Sequence, residues 1–518
     1  MSKSTVVFLL DLVVPMRRRQ QRRKPGILQK PWQLAERQFA PVDILSEDQV
    51  EDLHQATLGI LNHTGVHFMG KRARDFLTRQ NGTKVDETTQ IVRFDPDMVE
   101  EVIAHTPRAF RIHARNTKHD LIIDGCHLNY ANVITPPYAS DLDGGRRNGS
   151  YEEMCELLRL CQGINALNFV FGYPVEPQDL HPETRHLRSY LAHIELTDKV
   201  WRGYTMGDDR IRDAIEMARI ARGLSQEQLC EQPGFIANVT TNSPLRIDEP
   251  MGDGLMIMAE HNQPVSITSF AMAGAIAPIT IAGAVAMQNA EILAAIVLNQ
   301  LVRPGAPIVY GTFTTNVYMR TGAIAFGGPD LTISTLASGQ LARRYGFPLK
   351  SSVTTGAKQL DAQAGYETQS GLWGAVASGA TIIAHACGWM ESGLTVSREK
   401  MIIDAEMIQM MNHSMQPLKV DIDTLALDTI HEIGPGGQYF DCAHTMQRYD
   451  SEYYEPLVSD WESHENWVEK GSLSSAQRAN RIWKKLMEDY QPPSLEESIR
   501  EELETFVAKR EEVILANL

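Results

Sequence analysis

From about residue 151 onward, short apolar, β-branched runs alternate with longer helical runs, seven times in succession. The strand candidates are Asn168–Tyr173, Val200–Tyr204, Phe235–Thr241, Pro264–Thr268, Pro307–Thr312, Leu349–Val353 and Thr381–Ala386. Helices are expected near 183–196, 208–222, 251–262, 283–302, 333–345, 362–378 and 397–412. Parallel strands joined by crossover helices make either an open doubly wound sheet or a closed barrel. Seven units with no GxGxxG after the first strand favour the barrel. The eighth strand has two candidates, 129–134 and Gln438–Cys442. The expected fold is thus α/β, a TIM-like (β/α)8 barrel with an N-terminal accessory region and a C-terminal helical extension. The boundaries read from pattern changes are 1–30 for a basic tail, 31–150 for the accessory region, 151–415 for the barrel and 416–518 for the extension.

Charge narrows the partners. The net charge is −16, yet the first 24 residues carry seven basic residues against Asp11 alone. The body is therefore strongly acidic, which argues against nucleic acid and anionic membrane as partners, because phosphate binding needs a basic face. The six cysteines form no CxxC pair and no His-rich ligand spacing accompanies them, so no metal site is expected. Their pattern suits reduced thiols in a cytoplasmic protein. Residues 271–290 carry no charge, but Pro278, Gln288, Asn289 and Glu291 make a buried strand end and core helix the better reading than a membrane span.

In parallel barrels, active-site residues follow the strands, so residues there are the site candidates. Tyr204, Tyr310 and Thr312 lie at strand ends, and His385 ends the last strand. Asp361 is placed to cap a helix, with Gln363, Tyr366 and Glu367 on one face of its first turns. Tyrosine beside glutamate suits a cationic ligand. His444 follows the glycine-rich turn Gly434-Pro435-Gly436-Gly437 and is expected on a pocket lid. Glu367 and His385 are the expected catalytic pair. Such a site suits a barrel enzyme working without any partner's cofactor, or a non-catalytic binder of quaternary amines.

Several collinear blocks carry a family resemblance. They include Ala357–Glu367, Gly388-Trp389-Met390-Glu391-Ser392-Gly393-Leu394-Thr395, Asn242-Ser243-Pro244-Leu245, Gln288-Asn289-Ala290-Glu291, Leu301-Val302-Arg303-Pro304-Gly305 and the glycine turn at 434–437. Over roughly 35–515 the chain resembles the trimethylamine:corrinoid methyltransferase family. That resemblance implies a TIM-like barrel, a small methylated amine as substrate and a corrinoid (cobalamin) carried by a separate corrinoid-binding protein. It leaves the chain holding no cofactor of its own, and a homo-oligomer is also expected. Archaeal members carry pyrrolysine in the loop matching Thr354–Leu360, where this chain has ordinary residues. The resemblance therefore implies the pyrrolysine-free branch, some members of which demethylate quaternary amines such as glycine betaine.

Overall fold

The computed structural model describes residue 27 and residues 29–517, so the basic tail expected over 1–30 lies almost wholly outside the described residues. Seven parallel strands form the barrel wall in the order His127–Asn132, Ala380–Cys387, Leu349–Ser352, Ile308–Thr312, Val265–Ser269, Ile236–Thr241 and Arg202–Tyr204. Phe169 and Val170 close the ring, bridging Ala131 on one side and Trp201 on the other. The eighth strand is therefore 127–132, close to the first of the two candidates. The boundary expected at 150 falls inside the barrel, which starts at His127.

Strand alternation sets which side chains enter the barrel. Val200, Ile236, Val309, Ile382 and Ala384 point inward and pack with Phe169 and Phe171. Below them the antiparallel pair Phe110–Ile112 and Leu121–Ile123 plugs the floor, and Ile112, Leu121 and Ile123 are fully buried. Each such side chain contributes about 1.5–3 kcal/mol on leaving water.

The helices expected between the strands are all present. Ile281–Val302 is apolar enough to cross a membrane by composition, but 83% of its most apolar window is buried inside the protein. It is the core helix the sequence predicts. Its buried Glu291 is fully engaged: the carboxylate accepts from Thr241, Ser243 and Ser269 hydroxyls and from the Leu245 N–H.

The accessory region packs as helices Glu47–Gly59 and Pro96–Ile103 against this same helix. Ser46 and Gln49 form a capping box at the start of Glu47–Gly59. At the other end of the chain, Ser475–Asp489 lies on the helices Arg398–Ser414 and Tyr151–Gly163, and Trp483 Nε1 donates to Glu399 at 2.9 Å. Glu497–Ala516 lies on Arg185–Leu196 and Asp208–Ala221, held by Arg510 to Asp213 at 2.6 Å. This helix begins at Glu497 with no side-chain cap from Glu496.

Candidate functional site

A cavity of about 720 Å³ opens at the carboxyl ends of the barrel strands. Its lining follows the two-residue strand period. Arg202 and Tyr204 share a face with Val200; Asn238 and Thr240 share one with Ile236; Thr268 precedes Phe270, and Lys350 precedes Ser352 by the same step. The inward positions carry polar groups where the floor layer ends and aromatic groups at the rim.

One wall is aromatic. Phe270, Phe313 and Phe326 lie with ring centroids 5.1–6.0 Å apart, and Trp389 meets Phe326 edge-on at 5.3 Å. Trp389 is fixed by its Nε1–H donating to Thr355 O at 3.0 Å. The His385 ring lies 4.6 Å from that of Trp389. Such a wall presents π faces to a cation.

The other wall is cationic. Lys350 is 3% exposed, and its ammonium donates to Asn238 Oδ1 at 2.8 Å and Thr268 Oγ1 at 2.9 Å. The Arg202 guanidinium sits over Tyr204 at 4.9 Å and Phe171 at 5.1 Å, and its Nε has no hydrogen-bond partner. Among the described residues no carboxylate pairs with either side chain. The lysine is pushed well below its ordinary pKa by burial first and by Arg202 second. Elsewhere in the cavity the charges are matched, since Glu176 pairs with Arg185 and Glu183 with Arg210. Two buried cations without a counter-ion cost desolvation energy that an incoming anion can offset.

His385 reaches the cavity through a bulge. The pairing of Ala380–Cys387 with the first strand shifts register between Ile383 and Cys387, and His385 has φ +59°. Alternation alone would turn it outward beside Ile383; the left-handed backbone at His385, within a bulge of two extra residues, turns it in. Its Nδ1 is buried without a partner, and burial, Lys350 and Arg202 all hold it neutral.

Of the nine sequence candidates, Tyr204 and His385 line this cavity. Tyr310 and Thr312 do not. Val309 faces in, so Tyr310 and Thr312 face out, donating to Asn289 at 2.9 Å and Gln288 at 3.1 Å on the core helix. Asp361 caps the Ala362–Ser378 helix as expected, accepting from Gln363 N at 2.9 Å, but it stands in solvent. Tyr366 is 63% exposed on the outer face of that helix. Glu367 accepts from Thr355 Oγ1, Gly356 N and Gln363 Nε2 at 2.5–2.9 Å. Glu367 and Gln363 thus hold the loop whose Thr355 carbonyl anchors Trp389. Glu367 itself is not among the residues lining this cavity. His444 lies far along the chain from the mouth, against Asp423 O at 3.3 Å.

Lys350, Arg202, Phe270, Phe313 and Trp389 were not among the candidates. Their signals were present. Lys350 is a charge inside the apolar run Leu349–Val353, Arg202 stands two before Tyr204, and both phenylalanines directly follow their strands.

A closed parallel barrel with its functional groups at the carboxyl ends of the strands defines a TIM-barrel enzyme. The family comes from sequence: the trimethylamine methyltransferase (MTTB) family matches residues 15–514, and this chain belongs to it. It is a methyltransferase. A glycine betaine methyltransferase of Desulfitobacterium hafniense is 34% identical over 90% of this chain and 97% of its own length. A trimethylamine methyltransferase of the same species is 30% identical over 90% and 94%, and one from Methanosarcina mazei 27% over 90% and 95%. The solved monomethylamine methyltransferase of Methanosarcina barkeri aligns over 88% of this chain and 90% of its own, with 13% identity and a TM-score of 0.48.

Proposed function

We propose that this methyltransferase takes a methyl group from a quaternary amine bearing a carboxylate, of the glycine betaine kind, and passes it to the cobalt of a separate corrinoid protein. The uncompensated pair Lys350 and Arg202 beside the aromatic wall carries this reading. A free amine such as trimethylamine offers nothing to that pair. A betaine satisfies both walls, its ammonium against Phe313, Phe326 and Trp389 and its carboxylate on the two cations.

The corrinoid supplies a cobalt(I) nucleophile. The residues here do the rest. They hold the C–N bond along the line of approach and exclude water from it. When that bond breaks, its electron pair stays on nitrogen and the tertiary amine leaves neutral. No proton is needed, which agrees with a neutral His385 packed as part of the cage. The rim around the open mouth carries exposed Ile279, Tyr318, Met319 and Leu394, an apolar collar suited to a carrier protein's face. Cobalt(I) needs a reducing compartment, so the cytoplasm fits.

The test is demethylation of glycine betaine by the purified chain with a corrinoid carrier, followed as dimethylglycine by NMR. Turnover of glycine betaine with trimethylamine left intact is expected. Preferred use of trimethylamine, or no methyl transfer from any betaine, would overturn the reading.

A further inference from the structure

Gly388 is a corner between two sheets. Ala380–Cys387 ends in the barrel wall, with Cys387 paired to Asn132. One residue later Trp389–Met390 pairs antiparallel with Thr395–Ser397, in a small sheet that also holds Tyr138–Asp141. On the barrel side the Cys387 carbonyl accepts from the Val133 N–H at 2.9 Å. On the other side the Gly388 carbonyl accepts from the Ser397 N–H at 3.1 Å. The Gly388 N–H belongs to neither ladder. Its acceptor is a side chain, Asp404 Oδ2, at 2.8 Å. The corner has φ +92°, and a Cβ there would lie 2.8 Å from Met401, so the turn is tightly enclosed.

Asp404 is 1% exposed and sits on Arg398–Ser414, behind the wall. Lys400, one turn earlier and equally buried, donates to Asp404 Oδ1 and to Thr368 Oγ1 at 2.8 Å. A pair this deep is a poor source of stability. Desolvation offsets the attraction, and an apolar pair of similar volume commonly holds a fold as well. What an apolar pair cannot supply is an acceptor for the Gly388 N–H. The corner also governs the cage. His385 turns in three residues before it and Trp389 follows it directly, with the two rings 4.6 Å apart.

We infer that Asp404 is a positioning residue of the cation cage: it holds the corner from which Trp389 enters the wall, and Lys400 balances its charge. Neither residue lines the cavity. The role rests on the proposed reading of the aromatic wall as an ammonium site.

Two double variants separate the acceptor from the ion pair. The apolar variant, Lys400→Met with Asp404→Leu, removes both. The amide variant, Lys400→Gln with Asp404→Asn, removes the charges but keeps an oxygen for Gly388 and a donor for Thr368. Hydrogen exchange read by mass spectrometry over 385–391 should be roughly 10- to 150-fold faster in the apolar variant, the range for losing a hydrogen bond to a charged group. It should stay near the wild-type rate in the amide variant, and peptides over 349–352 should keep their protection in both. Calorimetry with tetramethylammonium should show a Kd raised about 5- to 30-fold in the apolar variant and within about twofold of wild type in the amide variant. Wild-type exchange and affinity in the apolar variant overturn the inference. So does an amide variant as impaired as the apolar one, because the charges and not the acceptor would then be what the cage needs. Wild-type protein decides the matter even where the apolar variant fails to fold: slow exchange over 385–391 is expected, and exchange at the rate of an open loop refutes the bond. The exchange reading needs no ligand, so a wild type that binds no tetramethylammonium counts against the proposed function and not against Asp404.

Discussion

Replacing Lys350 with Met separates the two walls of the cavity. An ammonium has three N–H donors. Two are held by Asn238 and Thr268, so one is left for a ligand. A hydrogen bond to a charged partner contributes about 1.5–3 kcal/mol, and at about 1.4 kcal/mol per decade its loss weakens binding by roughly 10- to 150-fold. The wall itself survives, because Thr268 Oγ1 still donates to Asn238 Oδ1 at 3.0 Å. Stability should not fall, since the change removes a desolvated charge and keeps the side-chain volume. Calorimetry with two ligands gives the answer. Glycine betaine should lose affinity by the stated factor, while tetramethylammonium, which has no carboxylate, stays within about threefold of its wild-type Kd. Unchanged glycine betaine binding would refute the clamp. An equal loss for both ligands would show that Lys350 shapes the cavity and does not read an anion.

Affinity for glycine betaine should also fall as pH rises through the depressed pKa of Lys350, which lies below 10.5, and this alkaline limb should be absent in Lys350→Met; a limb that persists there assigns the titration elsewhere. Trp389→Leu removes one face of the cage, so both ligands should weaken by up to about 30-fold, the limit of a cation–π contact of about 2 kcal/mol. Tyr366→Ala should leave glycine betaine binding unchanged by calorimetry, because the ring stands in solvent outside the cavity. Lys199 is buried with its ammonium on the Cys161 and Ile164 carbonyls and pushed down to about 8 from 10.5. Between those values the unfolded chain keeps a proton the folded chain has lost, so stability should rise with pH by up to about 3 kcal/mol. Denaturant melts across that window should show the rise, and Lys199→Met should abolish it.

The barrel was legible because its signals are periodic and local. Each strand is a β-branched run and each helix a longer one, and the observed helices fall within a few residues of those expected. The first strand was harder, since Leu128–Asn132 is half polar and its pairing is decided by distant partners. The site was less legible for a reason of parity. A strand shows its sequence plainly but not which alternate residues face in, and Tyr310 was placed one residue out of phase. Phase is set by the whole ring: Val309 packs inside it in one cluster with Ile236 and Ile382. Exposed polar clusters at a helix start, such as Asp361, Gln363 and Tyr366, resemble a site in sequence because capping and ligand binding use the same residue types.

The irregular last strand has a wider consequence. Two additional residues between Ile383 and Cys387, with the left-handed backbone at His385, redirect a side chain while leaving the pairing on either side intact. A relative lacking those two residues would keep the same barrel and show its mouth a different chemical group. Sorting such proteins by substrate should therefore begin with the length of this strand, and only then turn to its composition.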